Sequence, residues 1–196
     1  MSHYYDKKQE SKEKIKEIRA VLRNALFSFR TSSGVFSGRR VDAGTRLLIN
    51  TCIVQDGWSV LDLGCGYGAV GIVLKKLYPT LDVFMIDINE RAVAIAEKNA
   101  VLNGVAPHIA QGHMYEPVKE MLFDAIMLNP PYVAGRKLIG DMLEGATTHL
   151  KKGGLLHVVA RHQKGGKTIK QKMLHLFSNV IDHARGGGYH VYVSKR

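Results

Sequence analysis

The residues with the clearest chemical potential are Asn129, Pro130, Pro131 and Tyr132, which follow a short apolar run at 123–128. Proline fixes φ at about −65° and removes a backbone donor, so such a segment is rigid. The Asn129 amide oxygen and the Pro130 carbonyl can then both face outward as acceptors, with Tyr132 stacked on a ring beside them. Two converging acceptors suit an exocyclic NH2 group. A buried strand followed by an ordinary proline-rich turn is the alternative.

A glycine-rich turn at 64–68 follows a predicted strand at 59–63 and precedes a predicted helix. Its glycines let the backbone approach a ligand closely, although the dinucleotide-like pattern alone discriminates poorly. Asp62, two residues before the first glycine, favours a ligand with a positive group, because a carboxylate there would repel a pyrophosphate. Asp87 ends the next predicted strand, where a carboxylate accepts from ribose hydroxyls. A structural acid at Asp62 and a surface acid at Asp87 are the alternatives.

Apolar periodicity predicts the elements that hold these residues. Lys7 to Phe29 is predicted as a helix from apolar residues at three- and four-residue spacing, and 42–51 as a second helix. Beyond them, strands are predicted over 59–63, 82–86, 108–110, 123–128, 155–160, 180–184 and 189–194, and helices over 69–77, 91–103, 138–150 and 168–177. This alternation indicates an α/β protein with a mainly parallel sheet, and the glycine run at 186–188 predicts an antiparallel final pair.

Charge is unevenly distributed along the 196 residues, whose formal net charge is +11. Residues 1–40 contain ten basic and four acidic residues, and 151–196 contain ten basic and one acidic, whereas the middle is slightly acidic. Such segregation favours a nucleic-acid footprint beside a small-molecule pocket, although solvated charged faces are the alternative. No apolar run approaches the ~20 residues that a membrane helix requires, and the first ten residues do not form a signal peptide, so a cytoplasmic protein is expected.

The combined motifs Asp62-x-Gly64-x-Gly66-x-Gly68, Asp87 and 129–132 resemble those of class I S-adenosylmethionine-dependent methyltransferases. The segment 34–37, Gly-Val-Phe-Ser, followed by Asp-x-Gly-Thr at 42–45, is similar to the catalytic domain of the ribosomal small-subunit guanine-N2 methyltransferase family and its stand-alone archaeal relatives. The resemblance covers 27–196 and implies a doubly wound, seven-stranded Rossmann-like sheet whose last strand is antiparallel. We therefore expect a basic helical extension over 1–30 and a catalytic domain over 31–196.

The resemblance also implies a cofactor site for S-adenosyl-L-methionine. The glycine turn would hold the methionine part, with Asp62 near its amino group, Asp87 at the ribose and Ile88 on the adenine. His113 stands where the family has an acid that meets the adenine amine, so its ring or the Met114 N–H would replace that contact. The implied cofactor-binding residues are Phe36, Thr45, Asp62, Gly64, Cys65, Gly66, Gly68, Asp87, Ile88, His113, Met114 and Asn129.

The expected function is methylation of guanine in tRNA or rRNA, at an unpaired or flipped base. Asn129 and Pro130 would accept the hydrogens of the target amine, with Pro131 and Tyr132 completing the catalytic segment. The exocyclic N2 fits two acceptors better than N7, which carries no hydrogen. The expected RNA-binding residues are Arg39, Arg40, Arg136, Lys137, Lys164 and Lys167.

Other functions compatible with the sequence are a protein glutamine N5-methyltransferase, a DNA amino methyltransferase and a non-catalytic RNA-binding protein with a methyltransferase fold. The basic ends of the chain argue against the first, and the short chain leaves no separate DNA-reading domain. An intact set of motifs argues against the third. We expect a monomer without metal or membrane association, and the two cysteines, Cys52 and Cys65, fit neither a metal site nor a disulfide framework.

Overall fold

A computed structural model describes residues 15–32, 40–130 and 135–196. Its strands are β1 (Ile15–Leu22), β2 (Ala25–Ser32), β3 (Ser59–Leu63), β4 (Asp82–Asp87), β5 (His108–Gln111), β6 (Phe123–Leu128), β7 (Leu150–Arg161), β8 (Ile181–Gly186) and β9 (Tyr189–Lys195). Its helices are α1 (Ala43–Thr51), α2 (Ala69–Leu77), α3 (Glu90–Leu102), α4 (Gly135–His149) and α5 (Lys167–Phe177). A 3₁₀ turn at Glu116–Val118 and a π turn at His162–Gly166 complete the described elements. None of the helices in these ranges is long and apolar enough to cross a membrane.

Seven strands form one sheet in the order β5-β4-β3-β6-β7-β9-β8. All neighbouring pairs are parallel except those of β9, which is antiparallel to both β7 and β8. Helices α1, α2 and α3 contribute to the core on one face, and α4 and α5 to the core on the other. The predicted mainly parallel, doubly wound sheet with an antiparallel last strand is confirmed.

The predicted helix over 7–29 is wrong, because the described part of this segment is the β1–β2 hairpin. Burial alternates with a period of two, so Phe27 and Phe29 point inward while Leu26 is 67% exposed. Arg23 and Asn24 connect the two strands with φ of 45° and 63°. Positive φ at both central residues is typical of a type I′ turn, whose twist matches that of the flanking strands. Leu26 fits the three- and four-residue spacing of a helix but points outward in the hairpin. Phe27 and Phe29 follow the alternation of a strand and point inward. Residue 30, the predicted domain boundary, falls inside β2.

The other elements agree with the predictions to within a few residues, with one larger difference. Strand β7 begins at Leu150 rather than 155, because an irregular register beside Phe123 carries the pairing across the basic and glycine residues that follow Leu150. Helix α1 was predicted at 42–51, and Asp42 caps it by accepting from the N–H groups of Gly44 and Thr45.

The strand register places three chain segments side by side. Leu63 is the last paired residue of β3 and lies between Ile86 of β4 and Leu128 of β6. The next residues, Gly64, Asp87 and Asn129, therefore lie at the same level at the carboxyl edge of the sheet, where Asp87 is still paired with Gln111 of β5. Since β4 and β6 lie on opposite sides of β3, this is the point where the order of winding reverses and where such sheets bind ligands.

Buried Asn99 connects the hairpin to the glycine turn. Its amide oxygen accepts from Arg30 N at 2.6 Å, and its amide nitrogen donates to Arg30 O and Tyr67 O, both at 2.9 Å. Asn99 is fully buried, and its one amide satisfies all three of these backbone groups.

We predict that Asn99→Ala lowers the free energy of unfolding by about 2–4 kcal/mol, because three backbone groups lose a buried partner. Urea denaturation measures this change. The matched control is Asn50→Ala, since Asn50 is exposed and makes one hydrogen bond of 3.1 Å with Arg23 N. Equal losses in the two variants would show that the buried amide does not hold the hairpin and the turn together.

Candidate active site

A cavity of about 300 Å³ opens at the carboxyl edge of β3, β4 and β6. It brings together ten of the predicted site residues: Thr45, Asp62, Gly64, Cys65, Gly66, Asp87, Ile88, His113, Met114 and Asn129. Gly68 caps α2 with φ of 91° just behind it, where a Cβ would lie 2.7 Å from the Met85 side chain. The predicted residues Phe36, Pro131 and Tyr132 lie outside the described ranges, and Pro130 is buried at the end of β6.

Asp62 presents a buried carboxylate to this cavity. One of its oxygens, Oδ2, accepts from Gly71 N at 2.9 Å, and within the described residues no cation pairs with it. Burial, with a smaller repulsion from Asp87, raises the pKa of Asp62 to about 7. The carboxylate is therefore structural in part, as the alternative interpretation held, and it also has an unmet preference for a positive partner.

The Asp87 carboxylate shapes the glycine turn from the neighbouring strand. Its Oδ2 accepts from Gly66 N at 2.8 Å and its Oδ1 from Asn89 N at 2.9 Å. Gly66 has φ of 58°, a conformation that glycine adopts without the strain a side chain would bring. Asp87 is buried and lines the cavity beside Ile88.

His113, which stands where the resembling family has an acidic residue, is exposed at the edge of the cavity. Nδ1 of the His113 ring lies 3.9 Å from one carboxylate oxygen of Glu116, and the backbone N–H of His113 donates to the other oxygen at 3.4 Å. Met114 follows with φ of 49°, and together with Ile88 it lines one wall.

The Asn129 side chain is held from one end only. Its Nδ2 donates to Thr45 Oγ1 at 2.8 Å, and the Thr45 hydroxyl donates in turn to Asp42 Oδ2. Within the described residues, the amide oxygen of Asn129 has no hydrogen-bond partner. An acceptor at the edge of the cavity is therefore available to a ligand.

Several residues that line the cavity are not among those predicted from the sequence. Leu138 and Met142 of α4 line it, as does Tyr67 of the glycine turn, whose buried hydroxyl has no hydrogen-bond partner among the described residues. Burial raises the pKa of this hydroxyl. A tyrosine inside a glycine motif was the one available signal, because glycine turns otherwise favour small residues. Cys65 is buried and the pKa of its thiol is raised well above the usual range by burial, which makes it an unreactive thiol.

Most of the predicted RNA-binding residues lie on the same edge of the sheet. Arg136 and Lys137 lie in the first turn of α4, and Lys164 and Lys167 follow the end of β7. All four are exposed, although Lys137 is paired with Asp141 at 2.8 Å. Arg40 is exposed just before α1, and Arg39 lies outside the described ranges.

Known proteins resemble this chain in both sequence and fold. A model of the methyltransferase small domain family matches residues 26–193. The uncharacterised protein YbxB of Bacillus subtilis (strain 168) is 36% identical over 199 residues, covering 99% of this chain and 98% of that protein.

Two named ribosomal RNA methyltransferases are also similar. The small-subunit methyltransferase C of Photorhabdus laumondii is 34% identical over 66% of this chain and 39% of its own length. The large-subunit methyltransferase G of Shewanella denitrificans is 31% identical over 80% of this chain and 42% of its own length. The chain thus spans about two fifths of the length of these relatives.

A solved structure shares the fold. The 16S rRNA N2 G1207 methyltransferase (RsmC) of T. thermophilus, in complex with AdoMet and guanosine, superimposes with a TM-score of 0.81. The match covers 93% of this chain and 50% of that one at 23% identity.

The described cavity fits an S-adenosylmethionine-like ligand by the chemistry of its walls. Asp62 offers a buried carboxylate without a cationic partner in the described residues, Asp87 offers a second buried carboxylate, and Ile88 and Met114 add apolar side chains to the lining. This fit and the family match over most of the chain agree. The chain belongs to the methyltransferase small domain family and is an S-adenosyl-L-methionine-dependent methyltransferase.

Proposed function

We propose that the protein methylates the exocyclic N2 of a guanine in ribosomal RNA. The observation that carries this proposal is the Asn129 amide at the cavity edge, with its nitrogen bonded to Thr45 and its oxygen left as an acceptor. The related ribosomal RNA methyltransferases support the substrate class, and the small-subunit family supports guanine N2.

Cofactor binding is assigned to residues of three strand ends. Asp62 would bind the amino group, Asp87 the ribose hydroxyls, and Ile88 and Met114 the adenine. The bound cofactor supplies an electrophilic methyl group on a sulfonium. The protein residues contribute position and fixed dipoles, which suffice for an in-line displacement.

The choice of N2 follows from hydrogen-bond polarity. The Asn129 oxygen and the Pro130 carbonyl are acceptors, and N2 of guanine has two hydrogens to donate, whereas N7 has none. When both hydrogens are engaged, the nitrogen lone pair would be drawn out of conjugation with the ring and oriented for attack, and the methylated nitrogen would then release one of its two hydrogens as a proton to solvent. Tyr132 is assigned to stack on the base, a role that rests on its place in the motif.

Reaching the base requires RNA to lie across the carboxyl edge. Lys164 and Lys167 have no ion-pair partner within the described residues, unlike Lys137. They sit beside the strand end that neighbours β6, so we assign them, with Arg40 and Arg136, to phosphate contacts. A target presented on ribosomal RNA or on a ribosomal subunit would supply the remaining contacts.

The proposed function predicts one methylated nucleoside. Wild-type protein and Asn129→Ala are incubated with labelled S-adenosylmethionine and with ribosomal RNA, ribosomal subunits or tRNA from cells lacking the gene. We expect N2-methylguanosine from the ribosomal substrate with the wild type. The Asn129→Ala variant should lose roughly 100-fold or more in rate while it retains cofactor affinity. Mass spectrometry of nucleosides reads the product, and N7-methylguanosine, a tRNA product or a protein product would overturn the assignment.

Asp62 predicts a pH-dependent cofactor affinity. Its raised pKa, about 7, means that the folded protein holds a proton there which the unfolded chain releases at about pH 4. Stability from this group therefore falls as pH rises from about 4 to 7 and is level above that. A bound ammonium favours the ionised form, so cofactor affinity should increase from pH 6 to pH 8 with release of a proton.

Calorimetric titration in buffers of different ionisation enthalpy measures that proton. Asp62→Asn should weaken cofactor binding and remove its pH dependence. Relative to wild type, the free energy of unfolding of this variant should be higher at pH 8 than at pH 5. Asp56→Asn, at an exposed acid outside the cavity, is the control. Undiminished binding by Asp62→Asn with the same pH dependence would reject the assigned role.

The assigned phosphate contacts predict a change in salt dependence. Replacing both Lys164 and Lys167 with Ala should reduce the slope of log affinity against log salt by about 1.4–1.8, as expected for two lost phosphate contacts. Fluorescence anisotropy with labelled RNA gives the slope. The charge-matched control replaces Lys76 and Lys152, which are exposed near the opposite edge of the sheet. Equal changes in both double variants would indicate that RNA does not favour the carboxyl edge.

A further inference from the structure

A chain of three side chains runs from the start of α1 into the catalytic segment. Asp42 Oδ1 accepts from Gly44 N and Thr45 N, both at 3.0 Å, as is typical of an N-cap residue. Its second oxygen, Oδ2, accepts from the Thr45 hydroxyl instead. Thr45 Oγ1 then accepts from Asn129 Nδ2 at 2.8 Å, across 84 residues of sequence.

These bonds have a fixed direction. An ionised carboxylate can only accept, so the Thr45 hydroxyl must give its one hydrogen to Asp42. The Thr45 oxygen is then left with lone pairs alone and can bind only a donor. Of the two ends of the Asn129 amide, only the NH2 end satisfies it, and the carbonyl end must turn away.

We propose that Thr45 is a positioning residue, anchored by Asp42, which orients the Asn129 amide so that its oxygen faces the target amine. This inference rests on the proposed function, in which that oxygen accepts a hydrogen from the amine. The opposite orientation would bring two N–H donors against the hydrogens of the target and would disfavour binding of the reactive geometry.

The surroundings keep Thr45 in place. It is 7% exposed, and threonine in a helix has restricted χ1 freedom. The preceding Gly44 packs against Tyr189, where a Cβ would lie 2.8 Å from the ring, and Arg161 Nε donates to the Tyr189 hydroxyl at 3.0 Å. The start of α1 is thus clamped against β9, so the hydroxyl has a defined position relative to β6.

Asp42→Asn separates the proposed role from simple helix capping. An asparagine keeps the cap through its oxygen, but its NH2 group would face the Thr45 hydroxyl. Thr45 would then accept from position 42 and donate to the oxygen of Asn129, which stabilises the wrong orientation of the amide. The helix should stay folded while the catalytic acceptor is lost.

The experiment compares Thr45→Val, Thr45→Ser, Asp42→Asn and Thr51→Val. Thr51 lies in the same helix, and its hydroxyl donates to Leu47 O, so Thr51→Val is the matched control. Thr45→Val and Asp42→Asn should lower kcat by about 100-fold, the scale expected for a misplaced catalytic group. Thr45→Ser, which keeps the hydroxyl, should retain kcat within a few-fold, and Thr51→Val should match the wild type.

Three further readouts make the outcome specific. KM for RNA and Tm should be nearly unchanged in Thr45→Val and Asp42→Asn relative to Thr51→Val. The side-chain NH2 resonances of Asn129, assigned by their absence in Asn129→Ala, should shift in Thr45→Val and not in Thr51→Val. Wild-type kcat in Thr45→Val, an equal loss in Thr45→Ser, or unchanged NH2 resonances would overturn the inference.

Failure of the proposed function and failure of the positioning role of Thr45 would give different results. If the wild type made no N2-methylguanosine, the function would be rejected, while the NH2 resonances would still test whether Thr45 orients the amide. If N2-methylguanosine formed at the wild-type rate in Thr45→Val, the positioning role alone would be rejected.

Discussion

The site depends on the common register of three parallel strands. Leu63 pairs with Ile86 on one side and with Leu128 on the other, so the chain leaves β3, β4 and β6 at the same level. A shift of one residue in any pair would turn the following side chain to the other face of the sheet. The buried apolar faces of these strands hold that register, which means that the hydrophobic core determines the placement of Asp87 and Asn129.

On this frame the polar groups are arranged by backbone contacts rather than by charge pairs. Asp62 and Asp87 each accept from an N–H group of the glycine turn or of the helix behind it. These bonds give the turn its shape, and both carboxylates line the cavity. Asn129 is positioned by a side-chain contact instead, because Thr45 accepts from the nitrogen of its amide and leaves the amide oxygen for a ligand. Such fixed dipoles need no reorganisation when methyl transfer occurs.

The sequence predicted local elements well and distant contacts poorly. Strands 59–63 and 123–128 and helix 69–77 have the predicted bounds, because their apolar patterns and glycine or proline ends are local signals. The β1–β2 hairpin was missed because its apolar residues satisfy helical spacing as well as alternation, and packing of Phe27 and Phe29 decides between them. The contact of Thr45 with Asn129 and that of Asn99 with Tyr67 could not be predicted, since they arise only when separate elements pack.

The central claim is that a methyl donor and a guanine meet above these three strand ends. A crystal structure of the protein with S-adenosylhomocysteine and guanosine tests it most directly. We expect the amino group of the cofactor product at Asp62 and the guanine N2 within about 3 Å of Asn129 Oδ1, the distance of an ordinary hydrogen bond. Guanosine bound away from Asn129, or with its N2 turned from that oxygen, would contradict the claim.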